Sequence, residues 1–297
     1  MASNLEKNYS QYLKKQRIFG QAFKNKLIQL KNFYIPICQN IYNKYKKSNN
    51  TLIIGLSGGQ GSGKSTMAQI LKIILRDKFS LNVVCFSIDD FYKTKKERVL
   101  MSQKVHPLFL TRGVPGTHDH KMIYSSLKNL KSKNFKSLRI PQFDKSRDNR
   151  KNKKNWIKIK KKPNIIIFEG WCLGAKPQTF HDLKKPVNLL EKKRDSNKSW
   201  RIKVNEELKS NYKKIFKLID NLIYLKVPSY NHVLKWRLLQ EKKLRYSNKS
   251  KNVMNNKQIK NFIMHFERVT KSMMKNIKKN DIIINLDNQH KIKSIIN

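Results

Sequence analysis

Residues 58–65 read Gly-Gly-Gln-Gly-Ser-Gly-Lys-Ser, and Thr66 follows. The run fits G-x-x-x-x-G-K-[ST] without a gap. Glycines at this spacing let backbone N–H groups turn inward around phosphate oxygens, where a Cβ would collide. Lys64 can reach β- and γ-phosphates, the Ser65 hydroxyl suits Mg²⁺, and Thr66 stands beside it for an α-phosphate. Gly58, Gly59, Gln60, Gly61, Ser62, Gly63, Lys64, Ser65 and Thr66 are therefore the expected nucleotide-binding residues. Three acids complete the set. Asp89 and Asp90 follow the apolar run at 82–88, and Glu169 closes the apolar run at 164–168. Carboxylates just past the carboxyl ends of buried parallel strands stand where ligands bind in such sheets. Transfer of a phosphoryl group to an alcohol needs one acid to take the hydroxyl proton, and Asp89 is expected in that role. Glu169 is expected to hold Mg²⁺ with Ser65, and Asp89 to stand close enough to join them. The plainer role for one of two adjacent acids is a helix cap.

Further charges fall in two connections and one helix. The stretch 111–119, TRGVPGTHD, looks like a shaped turn inside a long connection, and such connections are usually functional. Arg112 offers a two-pronged donor for a carboxylate or phosphate. Thr117 is expected to cap a helix beginning at His118. A second cluster, Asp144, Lys145, Arg147, Asp148 and Arg150, follows a short strand near 139. The basic run at 151–162 reads as a solvated hairpin. Arg237 and Arg245 lie on a helix placed to close over the phosphates as a lid.

These residues need a frame that brings strand ends together. Leu52-Ile53-Ile54 precedes the glycine loop, and a helical pattern from Met67 to Leu75 follows it. Further strands are expected at 82–88, 164–169, 221–227 and 281–287. An amphipathic helix is expected from Trp200, and further helices through 236–245 and over 257–277. The segment 176–198 reads as loop. Leu27, Leu30, Phe33, Tyr34, Ile37, Ile41 and Tyr45 recur at helical spacing, with Pro36 as a kink. Strands alternating with helices predict one doubly wound α/β domain, 51–297, with a mainly parallel sheet and helices on both faces. Residues 1–50 are expected to form a helical extension packed on it, without chemistry of its own.

Composition sets outer limits. The chain has 297 residues, enough for one α/β core with an appended helical piece. No apolar run approaches the roughly 18–20 residues of a membrane span, and the first twenty residues lack the apolar core of a secretory signal. Cys38, Cys85 and Cys172 lie far apart and read as buried thiols of a reducing compartment, which points to the cytoplasm. The formal charge is +47, from 66 Lys+Arg against 19 Asp+Glu. Lysine is spread along the chain in company with Asn and Ile, the mark of A+T-rich codons rather than of a nucleic-acid groove. Nucleic acid is thus not the expected partner, although the charge can steer small anions.

With these residues in hand, the chain resembles the plant and cyanobacterial type of D-glycerate 3-kinase, a branch of the P-loop kinases that include uridine kinase and phosphoribulokinase. The stretches that carry the resemblance are GLSGGQGSGKST at 55–66, SIDDFYKTKKER at 87–98, HPLFLTRGVPGTHD at 106–119, PQFDKSRDNR at 141–150, FEGWCLG at 168–174 and WRLLQEKKLR at 236–245. They run in family order over nearly everything after residue 50. The resemblance implies a P-loop NTPase fold, ATP with Mg²⁺, and D-glycerate as the partner substrate. It places Asp89 at the catalytic base of the Asp-x-Phe-Tyr motif. It also makes Asp90, Tyr92, Arg112, His118, Asp119, Lys145 and Arg150 the expected acceptor pocket. Two stretches depart from the pattern: Asn149 stands where a second acid is expected, and 251–256 lacks acidic character. Rival readings are a kinase for another small alcohol, such as a nucleoside or pantothenate, and an NTP-dependent nucleic-acid-binding protein.

Overall fold

Isoleucine and valine fill the strands, and β-branched runs buried on both faces belong to the middle of a parallel sheet. The computed structural model describes residues 3–16, 25–246, 254–276 and 282–296, with the side chains of 243–246 outside that description. Six strands form one sheet: β1 (Leu52–Gly58), β2 (Val83–Ser87), β3 (Ile165–Glu169), β4 (Asn221–Lys226), β5 (Ile282–Leu286) and β6 (Ile292–Ile296). Their spatial order is β6-β5-β4-β1-β3-β2. Every neighbouring pair is parallel except β5 with β6.

The pleat divides the core in two. Leu52, Ile54, Leu56, Ile165 and Ile167 face one hydrophobic layer, while Ile53, Ile166 and Phe168 face the other. The first layer is covered by the helix Lys64–Asp77 and by the N-terminal helices Asn4–Lys15 and Ile35–Ser48, through Tyr9, Leu13, Ile37, Cys38 and Ile41. The second is covered by His120–Lys131, Ser199–Glu207 and Asn256–Lys275. This is a doubly wound, mainly parallel α/β sheet. Register then decides the chemistry. Glu169 pairs with Leu56 on one side and Ser87 on the other. The ends of β1, β3 and β2 therefore lie side by side, and each leads into a candidate functional residue.

Three local expectations are corrected. Thr117 does not cap a helix. Its Oγ1 accepts from Gly113 N at 2.9 Å and donates to Val114 O, closing the turn. The helix starts at His120, with Asp119 as cap accepting from Met122 N. Pro36 lies inside a continuous helical run, 26–48, and the irregularity falls in the π-helical turn Leu30–Tyr34 just before it. The segment 176–198 is not all loop. Thr179 and Asn188 cap the short helices Phe180–Lys184 and Leu189–Arg194. The last strand is not the end of the sheet, since β6 adds an antiparallel edge. The departing stretch at 251–256 lies outside the described residues as far as 253.

Candidate active site

One cavity of about 1180 Å³ opens over the carboxyl ends of β1, β3 and β2. Its wall includes Gln60, Gly61, Ser62, Gly63, Lys64, Ser65 and Thr66 at one end, and Asp89, Asp90, Tyr92, Arg112 and Lys145 at the other, with Glu169 between them.

The loop after β1 has the geometry that glycine permits. Gly63 has φ +88°, and a Cβ there would meet nothing within 4 Å, so backbone shape and not crowding excludes a side chain. It caps the helix Lys64–Asp77, whose N-terminus faces the cavity. Lys64 Nζ donates to Gly58 O and Gly59 O, both at 2.9 Å. Burial lowers its pKa, against the pull of Glu169 and Asp89. Gln60 Oε1 and Ser62 Oγ are buried without protein partners in the same loop. A helix N-terminus with an unpartnered buried hydroxyl donor, Ser62 Oγ, beside it fits a phosphate chain. Ser65 Oγ lies 2.8 and 2.9 Å from the two oxygens of Glu169. Burial raises the Glu169 pKa, opposed by Lys64 and Ser65.

At the acceptor end, Asp89 has both oxygens engaged. Tyr92 OH donates to Oδ1 at 2.8 Å and Lys145 Nζ to Oδ2 at 2.9 Å. Burial would push this carboxyl up, but the Lys145 ammonium and the Tyr92 hydroxyl outweigh it and hold it well below the usual carboxylate range. Asp90 takes the cap role: its Oδ2 accepts from Ser87 N at 3.0 Å and closes the short turn Ile88–Phe91. Arg112 reaches Asp148, and its guanidinium lies over the Phe143 ring.

His118, Asp119 and Arg150 stand behind the cavity wall. His118 is fully buried, stacked on Tyr92 with centroids 4.5 Å apart and paired with Tyr212 OH through Nδ1. Burial pushes its pKa down to about 3, so the ring is neutral. Arg150 donates to Tyr92 O at 2.8 Å and pairs with Asp119 at 3.5 Å. All three brace the segment that presents Tyr92 and Asp89. Arg237 reaches the cavity wall but is held by Glu241 one turn along its helix, and the Arg245 side chain lies outside the described residues.

Several participants escaped the sequence reading. Arg98 is almost wholly buried, donates to the carbonyls of Leu110 and Asp148, and pairs with the Asp148 carboxylate at 2.9 Å. Nothing separates it in sequence from its solvated basic neighbours. Trp236 stacks on His290 at 3.6 Å, and His290 Nε2 donates to Gly61 O at 2.9 Å, so a helix and the β5–β6 turn both brace the phosphate loop. Tyr9, Gln29 and Tyr34 of the N-terminal segment also line the cavity. Their helical periodicity signals packing and carries no hint of that wall.

Residues 53–176 match the phosphoribulokinase/uridine kinase family. An uncharacterized kinase of Schizosaccharomyces pombe is 34% identical over 207 residues, covering 67% of this chain and 73% of that one. The chloroplastic D-glycerate 3-kinase of Arabidopsis thaliana is 27% identical over 255 residues, covering 80% of this chain and 53% of the relative, so the chain spans about half its length. The solved structure of D-glycerate 3-kinase from Cryptococcus neoformans superposes with a TM-score of 0.74 at 21% identity, over 91% of this chain and 98% of that one. That likeness shows the P-loop kinase fold.

Proposed function

The chain belongs to the phosphoribulokinase/uridine kinase family of ATP-using kinases, and on that premise we propose that it phosphorylates the 3-hydroxyl of D-glycerate. The observation that carries the proposal is the shared cavity, with a phosphate loop at one end and, at the other, a carboxylate held by Lys145 with Arg112 on the same wall. The Arabidopsis relative supports the choice of acceptor.

In this reading Lys64 and the loop amides bind the β- and γ-phosphates. Ser65 and Glu169, an oxygen-only pair, would hold Mg²⁺, with Asp89 across from them. The metal's contribution is to neutralise charge on the phosphate oxygens. Asp89 orients the 3-hydroxyl and takes its proton. The hydroxyl oxygen forms a bond to the γ-phosphorus as the bond from that phosphorus to the β–γ bridging oxygen breaks. The electron pair leaves with ADP, and 3-phosphoglycerate results. Lys145 or Arg112 faces the glycerate carboxylate. Arg237 and Arg245 close toward the transferring group. His118, Asp119 and Arg150 hold Tyr92 in place, and Asp90 shapes the turn that aims Asp89. Among the described residues no helix is long and apolar enough to cross a membrane.

Phosphorus NMR of a reaction with MgATP and D-glycerate tests the regiochemistry. A single 3-phosphoglycerate signal growing with ADP supports the reading. Phosphorylation at the 2-hydroxyl, or no acceptor-dependent product, refutes it.

A further inference from the structure

Asp89 is held by two donors of opposite character. Tyr92 is fixed: its ring is buried, stacked on His118 and set edge-on to Phe143 at 5.1 Å. Lys145 is not. Its side chain is 63% exposed and rises from the turn between the two-residue strands Phe143–Asp144 and Asn149–Arg150. Its flexible stem ends in a charge with three donors, and Asp89 Oδ2 receives one of them at 2.9 Å.

The other cation at this end has a fixed partner. Arg112 pairs with Asp148, and Asp148 is gripped from behind by Arg98 at 2.9 Å. Arg98 is itself locked by carbonyl oxygens. Lys145 is thus the cation that can change partner without dismantling packed structure. While it sits there, both oxygens of Asp89 are occupied, Oδ1 by Tyr92 and Oδ2 by Lys145, and neither is open to an acceptor hydroxyl.

Resting on the glycerate-kinase reading, we infer that Lys145 is a substrate-displaced guard on Asp89, drawn away by an acceptor that carries its own carboxylate beside the reacting hydroxyl. A small hydroxy acid supplies both the hydroxyl that Asp89 must reach and the anion that removes Lys145. Water and neutral alcohols supply only the first. The site therefore selects hydroxy acids by releasing its base, and it withholds the base from water when ATP is bound alone. Lys145 acts on the reaction through Asp89 and through the acceptor's anion, so selectivity and wasted hydrolysis move together.

The test uses the full chain with MgATP and three conditions: no acceptor, glycerol, and D-glycerate. Glycerol keeps the hydroxyls and lacks the carboxylate. Wild type is compared with Lys145→Met and Lys145→Arg. The exposed position makes both variants tolerable to the fold, and a thermal melt checks it. Lys145→Met is expected to raise acceptor-free ATP hydrolysis and glycerol turnover by on the order of tenfold, a part of what general-base action supplies. The same variant is expected to lower the D-glycerate-to-glycerol rate ratio, and Lys145→Arg to restore it. Unchanged or slower acceptor-free hydrolysis in Lys145→Met overturns the guard. If D-glycerate is no substrate for any variant, the acceptor assignment fails, while the hydrolysis comparison still decides the guard.

Discussion

At the scale of single residues, the site separates groups by how firmly they are held. In the proposed mechanism Asp89 is the group on which the reaction turns, and Asp89→Ala should reduce acceptor phosphorylation by about 10²–10⁴. Nucleotide binding should survive, since Lys64 and the loop amides are untouched; isothermal titration with ATP alongside turnover separates the two effects. Lys64→Met should instead lose about 10²–10³ in rate, the usual cost of removing one donor from developing charge. Buried histidines give a pH signature of their own. His118 is pushed down to about 3 and His265 to about 4, both by burial. The unfolded chain takes up these protons from about pH 6.5, while the folded chain refuses them until much lower pH. Stability is therefore full above about pH 6.5 and declines as pH falls toward 4 and 3. Urea melts at about pH 7 and pH 5 measure the decline, and His265→Gln should make it shallower. A midpoint that rises on acidification contradicts the assignment.

At the scale of elements, a buried ion network secures the segment that sequence reads as loop. Glu191 is wholly buried; Arg268 Nε and Nη2 each lie 2.7 Å from one of its oxygens, and Arg201 pairs with Asp195 at 3.1 Å. Arg268 comes from Asn256–Lys275, so the network pins residues 178–195 to that helix. Arg268→Met leaves a buried carboxylate largely uncompensated and should cost about 3–5 kcal/mol. Calorimetry should show a clear fall in the melting midpoint, with part of it regained in the double variant Arg268→Met, Glu191→Leu. The same network explains the limits of the sequence reading. Strands were legible because Ile165–Phe168 and Leu52–Ile54 must be buried on both faces, and the phosphate loop because glycine spacing follows from phosphate geometry. Asp89 and Glu169 were legible as strand-end acids. Asp119 rather than Thr117 as cap, and His118 as a brace, were not. Those depend on backbone pairing between Tyr92 and His118, which joins segments distant in sequence. Arg98 hid among lysines, and β6 hid in a short polar-flanked run that pairs at the sheet edge with β5.

At the scale of the whole molecule, a chain of formal charge +47 carries the cavity proposed to take two anionic substrates. Surface charge acts on encounter and is screened over about 8 Å at physiological salt. Raising salt to about 0.5 M should lower kcat/KM for an anionic acceptor severalfold while kcat changes by less than about twofold. A fall confined to kcat would show instead that salt acts within the bound complex. The central claim is best tested by ADP release from MgATP with D-glycerate, L-glycerate, uridine, pantothenate and ribulose 5-phosphate in turn, Asp89→Ala running beside wild type. The account predicts fast turnover with D-glycerate alone, lost in Asp89→Ala. Turnover with uridine or pantothenate in its place, or an undiminished rate in Asp89→Ala, would contradict it.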